Sequence, residues 1–328
     1  MGLAQTLSDP MQEILQESST WPFQEAIAQF EKTVEHGQVG LTLQHSNNGR
    51  AAPLVEIVIA HCKESLDWIQ QDLLTVAPPG CWLTLYEKCG SQPTFSDMVL
   101  KHFAKVTTIS CPDPVGLPRG DECLAYLTHI NSRYLDLAQF TVFLQADPDQ
   151  HLHFTYLRTI LAMISRGTYS VPFINVNGAR HVRTKTPCLG AVYEEIFKEK
   201  LQKPLGPYCC AQFVVQDSGI RSRPLSFYQN MLRMVDGSMG GGDLCSPHPV
   251  TRSTHCYGME YMWHLVFGDE HEPPLRQDDA RLPLPLRQKF GNEFTKRQWN
   301  DMVLAPNTAK KIVEAVDYEQ MVPAGKLK

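Results

Sequence analysis

The residues best suited to chemistry stand at the end of one apolar run. FTVFLQADPDQHLH opens with six mostly apolar residues and stops abruptly at two carboxylates, Asp147 and Asp149, with Pro148 between them. Two hard oxygen donors one residue apart in a tight turn suit Mg2+ or Mn2+ held jointly with substrate phosphates. The same three residues also make an ordinary solvated turn, since Asp and Pro favour turns on their own account. His151 and His153 follow in alternation, offering imidazoles either to a metal or to plain polar packing.

A second cluster is His61-Cys62-Lys63-Glu64-Ser65-Leu66-Asp67-Trp68, directly after an apolar run. In doubly wound sheets a phosphate meets a helix N-terminus at such a place. Lys63 would face the phosphate, His61 would line the same loop, and Glu64 or Asp67 would reach a ribose or base. A charged helix cap with Trp68 packed inward explains the same residues, and Lys88, after the next apolar run, carries the same two readings. Arg221 and Arg223 in GIRSRPLSFYQ present two guanidinium groups before a helix start, a fork suited to diphosphate oxygens or to acidic neighbours. Glu260 in GMEYMWHLVFG sits among Met259, Met262, Trp263, Val266 and Phe267. A carboxylate in such company is paired, ligand-facing or raised in pKa, and raised basicity is what a general base needs. His264 falls one turn further along the same expected helix face. Gly240-Gly241-Gly242 lacks a P-loop lysine and reads as a mobile loop, and neither G-x-S-x-G nor H-E-x-x-H occurs.

These groups need elements to position them. PLVEIVIAHC, CWLTLYEKC (81–89), VTTIS (106–110), FTVFLQ (140–145) and AQFVVQ (211–216) read as strands. Helices are expected at 65–74, 97–104, 122–134, 154–165, 188–201, 225–234 and 258–267, with another over 11–36 and a last one at 307–317. Strands alternating with helices imply an α/β fold with a mostly parallel central sheet and flanking helices. Residues 1–50 form a helical extension ending in the polar linker QHSNNGR (44–50). Residues 51–271 form the single main domain, and the Pro-rich 272–328 an extended C-terminal arm with its terminal helix.

Composition bounds the function. The chain has 328 residues, 43% of them hydrophobic, and a net charge of −5. That supports a substantial core and argues against a nucleic-acid binder, which carries a basic face. No apolar stretch reaches the ~18–20 residues that span a bilayer, so no transmembrane segment is expected. The N-terminus has no basic region followed by an apolar one, so no secretory signal is read. It does fit M-G-x-x-x-[ST] through Gly2 and Thr6, a myristoylation pattern whose single chain would anchor only weakly. Ten cysteines without a CxxC ladder read as reduced, mostly buried thiols of a cytoplasmic protein. A secretory location, with disulfides, is the alternative should the N-terminus be incomplete.

EIVIAHCKESLDWI, LTLYEKCG, GDECLAYLTHINSRYLDLAQFTVFLQADPDQH, AQFVVQDSGIRSRPLSFYQNML and EYMWHLVFG, in that order, resemble the uncharacterised family DUF3431. More loosely, the chain is similar to GT-A glycosyltransferases, with a Rossmann-type nucleotide-binding half and a D-x-D at a strand end. That likeness implies Asp147 and Asp149 as the D-x-D on Mn2+ or Mg2+, with His264 as a further metal ligand. It also implies Glu260 as the catalytic carboxylate that deprotonates an acceptor, and Arg221 and Arg223 beside the diphosphate. The implied partners are a nucleotide sugar and a small-molecule or glycan acceptor. The implied function is sugar transfer to a hydroxyl. A non-catalytic binding module on the same fold, or a metal-dependent phosphoester hydrolase using His151 or His153, are the alternatives.

Overall fold

The β-branched run Val55–His61 forms β1 and is buried along its whole length, as befits a strand covered on both faces. In this computed structural model, residues 52–113, 120–152, 154–178, 187–208, 210–239, 244 and 255–287 are described. The expected helices at 11–36 and 307–317, the 44–50 linker, Gly2, His153 and Gly240–Gly242 lie outside the described residues.

Parallel neighbours flank β1: β2 (Trp82–Glu87) on one side and β4 (Phe140–Gln145) on the other. β3 (Lys105–Ser110) extends the sheet beyond β2, again parallel, as a partly exposed edge. Beyond β4 lies β6 (Phe213–Gln216), antiparallel to it, and then β5 (Phe173–Asn175), antiparallel to β6. One six-stranded sheet results, in the order β3-β2-β1-β4-β6-β5, mostly parallel with β6 alone reversed. Strand order runs outward from β1 to β3 on one side and restarts with β4 on the other. The carboxyl ends of β1 and β4 therefore border the switch point, where open α/β sheets leave a crevice for ligands.

Alternating side chains divide the core into two layers. Val58, Ala60, Phe143 and Phe213 pack under α3 (Asp121–Arg133), α5 (Pro187–Phe197), α7 (Leu225–Arg233), α8 (His255–Glu260) and α9 (Trp263–Val266). Ile57, Ile59, Val142 and Leu144 pack on the opposite face. There they meet α1, a π-helical turn (Ile69–Leu73) continuing as an α-turn (Leu74–Val76), together with α2 (Asp97–His102) and α4 (Phe154–Ser165). A short helix, α6 (Asp217–Arg221), follows β6 directly. The Pro-rich segment after residue 272 lies on the body as far as it is described. Leu282 and Leu286 are buried, and the Leu286 carbonyl accepts the Tyr156 hydroxyl at 3.1 Å.

Two expectations need correction. The single helix over 258–267 is two short ones, broken at Tyr261-Met262, where Met262 leaves helical geometry (φ −124°, ψ −8°). Glu260 and His264 thus do not share a continuous helix face. The cysteines are also not all reduced. Cys62 pairs with Cys89 and Cys123 with Cys256, and Cys188 and Cys210 are disulfide-bonded too; among the described residues Cys81 and Cys111 remain as buried thiols. The first pairing follows from the sheet: β1 and β2 end in register at His61 and Glu87. Loops leaving neighbouring strands at one edge start about 4.8 Å apart, and the two Cα atoms stand 4.9 Å apart.

Candidate functional site

The loop after β1 folds back on itself. Glu64 turns its carboxylate onto the backbone N–H groups of Cys62 and Lys63, at 2.7 and 3.0 Å. Ser65 caps the next turn by accepting the Asp67 N–H at 3.2 Å. The loop N–H groups that a phosphate would use are thus already served by an internal carboxylate. His61 is buried and donates from Nε2 to the Glu64 carbonyl at 3.1 Å, leaving Nδ1 without a hydrogen-bond partner. Trp68 is packed inward, and its indole N–H reaches across the switch point to the Ala146 carbonyl at 2.7 Å. One bond therefore ties the end of β4 to the loop after β1.

The loop after β2 repeats the pattern. Glu87 accepts the N–H groups of Cys89 and Gly90 at 2.8 and 2.7 Å and the Ser91 hydroxyl at 2.9 Å. Burial works to raise its carboxyl, but these donors prevail and hold it below the usual range. Between the two loops lies a polar cavity of about 420 Å3. His61, Lys63, Glu64, Gln70, Ser91 and Thr94 are among the residues lining it.

Asp147 and Asp149 extend the same edge. Pro148 is buried and starts a 3-10 turn, Pro148–Gln150, while both aspartates are exposed. The turn is anchored from below: the Pro148 carbonyl accepts Leu152 N–H at 2.8 Å, and Gln212 bridges to it and to Asn177. The Asp147 carboxyl is raised, first by burial and then by the charges of Glu64 and Asp149. Three carboxylates thus crowd the switch point, with Asp147 beside the rim that Glu64 lines. Neither aspartate lines the 420 Å3 cavity itself. His151 is half-buried, and its carbonyl accepts the Gly178 N–H at 3.0 Å.

The four cations expected around a diphosphate are mostly placed elsewhere. Lys88 is buried and paired with Asp113 at 2.6 Å, and Asp113 also accepts the Gly120 N–H that opens α3. Its charge holds that loop, which corrects its reading as a phosphate ligand. Arg221 and Arg223 follow β6, and β6 is reversed. Gln216 therefore pairs with Phe140, at the amino end of β4. At roughly 3.3 Å per residue this leaves the two arginines about 20 Å from Asp147, on the opposite edge. Arg221 faces Asp217. Arg223 donates to the carbonyls of Leu265 and Val266 at 3.4 Å and stacks on Phe227 and Phe197. It caps α9, as a guanidinium at a helix C-terminus should. Lys63, exposed on the loop after β1, is the expected cation that stays at the switch point.

Glu260 and His264 line a second cavity, of about 360 Å3, beside β5. Its other walls include Phe173, Asn175, Tyr208, Trp263, Arg276 and Asp279. The Arg276 guanidinium lies between the Tyr156 and Tyr208 rings and donates to the Asn175 carbonyl at 2.7 Å. His264 Nε2 donates to the His271 carbonyl at 3.3 Å. It does not join Asp147 and Asp149. Among the described residues, the only trio of ligand atoms within 4.8 Å of one another is Glu122, Cys123 and Cys256. His264 therefore lies apart from the two aspartates with which the sequence grouped it.

Sequence reasoning missed Glu122. It stands in the first turn of α3, at the same edge as Asp147, because β3 delivers the chain there. Burial, and then the charge of Asp121, raise its carboxyl to about 7 against the pull of Gln145 and Lys88. The available signal was Gly120-Asp121-Glu122 opening a helix after a Pro/Gly-rich loop.

Residues 170–280 match the model of the family described as protein of unknown function, DUF3431. The resemblance read from the sequence is borne out over that stretch, which holds β5, β6, Glu260, His264 and Arg276. The β1–β4 half, with Asp147, precedes it. No curated protein matches the chain. Among the described residues no helix is long and apolar enough to cross a membrane.

Proposed function

We propose that the switch-point crevice binds a nucleotide-sugar diphosphate through a shared divalent cation, and that the protein transfers the sugar to a hydroxyl as a GT-A-like glycosyltransferase. The observation that carries this is the gathering of Glu64, Asp147 and Asp149 at the carboxyl ends of β1 and β4, beside a polar cavity of about 420 Å3. An anionic ligand is repelled there unless a cation is shared. The donor chemistry fits that use: Mg2+ or Mn2+ bound with phosphates takes one or two carboxylates and several waters rather than a closed protein cage. When bound, such an ion neutralises the diphosphate that departs.

The chain's own residues do the rest. Asp147 and Asp149 hold the ion from a turn stiffened by buried Pro148. Lys63 and the hydroxyls of Ser91 and Thr94 face the nucleotide in the cavity. The 360 Å3 cavity admits the acceptor, where the aromatic walls cover a sugar face and Glu260 holds a hydroxyl. The six disulfide-bonded cysteines favour an oxidising compartment over the cytoplasm.

Thermal unfolding with UDP or GDP, each with and without Mn2+, tests the reading. Nucleotide and metal together raise Tm more than the sum of either alone, and Asp147→Asn and Asp149→Asn abolish the excess. At a hundredfold excess over Kd the stabilisation is about 2.7 kcal/mol. No shift with any combination refutes the proposal.

A further inference from the structure

The turn that carries Asp147 and Asp149 rests on the chain that continues β5. Leu152 makes an isolated β-bridge with Asn177, and the His151 carbonyl accepts the Gly178 N–H at 3.0 Å. Gln212, wholly buried, stands between the two segments. Its Oε1 accepts the Gln145 N–H at 3.3 Å, and its Nε2 donates to Asn177 Oδ1 at 2.7 Å and to the Pro148 carbonyl at 3.4 Å. Pro148 is the residue between the two aspartates. One amide therefore touches the end of β4, the turn and Asn177.

Asn177 is held from its other side by Arg276. A single guanidinium nitrogen, Nη2, donates to both the Asn175 and the Asn177 carbonyls. In an extended strand such carbonyls stand about 6.6 Å apart, so the chain bends around that nitrogen. Asn175 secures the bend from within, its Oδ1 accepting the Asn177 N–H at 2.9 Å in an Asx turn. The guanidinium is fixed in turn: it lies 4.0 Å from the Tyr208 ring centroid and 4.6 Å from that of Tyr156. Burying a charge costs solvation that its partners repay only in good geometry, so a buried guanidinium is weak evidence of a stabilising role. What Arg276 does set is the bend that turns the Asn177 side chain toward Gln212.

We propose that Arg276 and Gln212 are positioning residues for the switch-point cation, which hold the Pro148 turn so that Asp147 and Asp149 converge on one ion; this rests on the metal-dependent reading above. Neither touches the ion. Both act through Asn177, Arg276 by fixing its backbone and Gln212 by carrying that position to the turn. Arg276 also lines the 360 Å3 cavity, so the acceptor wall and the metal turn share one residue. Asn175, Asn177, Gln212 and Arg276 all lie within residues 170–280, whereas the turn precedes them. This network is how the family-matched stretch bears on the two aspartates.

The test is titration of the full chain with Mn2+ in the presence of UDP, well below the melting temperature, followed by the electron paramagnetic resonance signal of free Mn2+. Gln212→Met keeps the volume and removes the three hydrogen bonds, while Arg276→Lys keeps the charge but loses the planar, stacked fork. Partners behind metal ligands are worth about 10- to 100-fold in affinity, so each variant raises the Mn2+ Kd about tenfold or more with a native circular dichroism spectrum. The double variant binds no more weakly than the worse single one, because both lie on one route. A Kd within about twofold of wild type in either folded variant, whatever its Tm, overturns the inference alone. Losses that multiply in the double variant also overturn it, since the residues then act separately. Where one single variant fails to fold, the Kd of the other decides, and failure of both overturns the inference because the role is then structural. A wild type that binds no Mn2+, or binds it undiminished after Asp147→Asn, overturns both the inference and the reading beneath it.

Discussion

The single bond from the Trp68 indole to the Ala146 carbonyl makes a quantitative prediction. Trp68→Phe keeps an aromatic ring against Phe154, whose centroid is 6.0 Å away, but removes the donor. The bond is short, 2.7 Å, buried, and spans 78 positions of sequence. Losing it strands the Ala146 carbonyl, which costs about 1–3 kcal/mol. The space vacated by the smaller ring adds roughly 1 kcal/mol. The expected loss is therefore about 2–4 kcal/mol in urea unfolding, read as a lower midpoint at unchanged m. Because Ala146 adjoins Asp147, the same change loosens the turn that presents the aspartates, and the Mn2+-dependent part of the nucleotide response falls several-fold. A loss under 0.5 kcal/mol refutes the energetic argument. Full destabilisation with an unaltered Mn2+ response refutes the claim that this bond positions the site.

Three further outcomes follow from the same packing. His129 is buried with Nδ1 3.2 Å from the Tyr86 hydroxyl and Nε2 3.8 Å from Glu56. Burial, then Arg133, lowers it from 6.5 to about 3. Its stabilising effect is thus present above pH 6.5 and lost progressively as pH falls toward 3, by up to about 1.4 kcal/mol per unit. His129→Gln flattens the stability–pH curve between pH 6.5 and 5, and an unchanged slope refutes the assignment; Glu56, raised by burial, opposes the trend only through its own titration. Gly120→Ala places a Cβ 2.7 Å from the Leu124 Cβ and 2.8 Å from the Val235 carbonyl. It should cost about 1–3 kcal/mol and shift the start of α3, which a circular dichroism melt registers as a lower Tm. Replacing Cys62 and Cys89 by serine opens a crosslink between positions 27 apart. The chain-entropy cost is about 3–4 kcal/mol, measured by urea midpoint under oxidising conditions, and a neutral double variant refutes it.

The parallel half of the sheet was legible because buried strands announce themselves as short apolar runs, as β1, β2 and β4 do, while β3 shows through the β-branched residues of its partly exposed edge. Phe154–Ser165 was equally plain from its helical period. Direction was not legible. AQFVVQ reads as a strand either way, since a period of two carries no sign, and only the pairing Phe140↔Gln216 reveals that β6 runs backward. Phe173–Asn175 is too short to show any period. Cysteine pairing depended on strand register, which no spacing rule contains. Glu122 was hidden for a related reason: its meaning comes from Gln145 and Cys256, which are distant in the chain.

The reversed strand also decides what the switch point can bind. Had β6 run parallel, Arg221 and Arg223 would open onto the edge that carries Asp147, and a diphosphate would find guanidinium partners without help. Reversal sends them to the far edge, where Arg223 instead caps α9. What remains at the carboxyl ends of β1 and β4 is Glu64, Asp147 and Asp149, with Asp121 and Glu122 behind them and Lys88 already matched to Asp113. Two like charges 4 Å apart repel by roughly 1 kcal/mol in water and about 4 kcal/mol near a protein surface. A bare phosphate entering among three carboxylates meets several such terms at once. Binding of UDP in the absence of any divalent cation should therefore be weaker than with Mn2+ by an order of magnitude or more. Isothermal titration in the presence of a chelator measures it directly, and equal affinity with and without the metal removes the physical basis for placing a nucleotide at this edge.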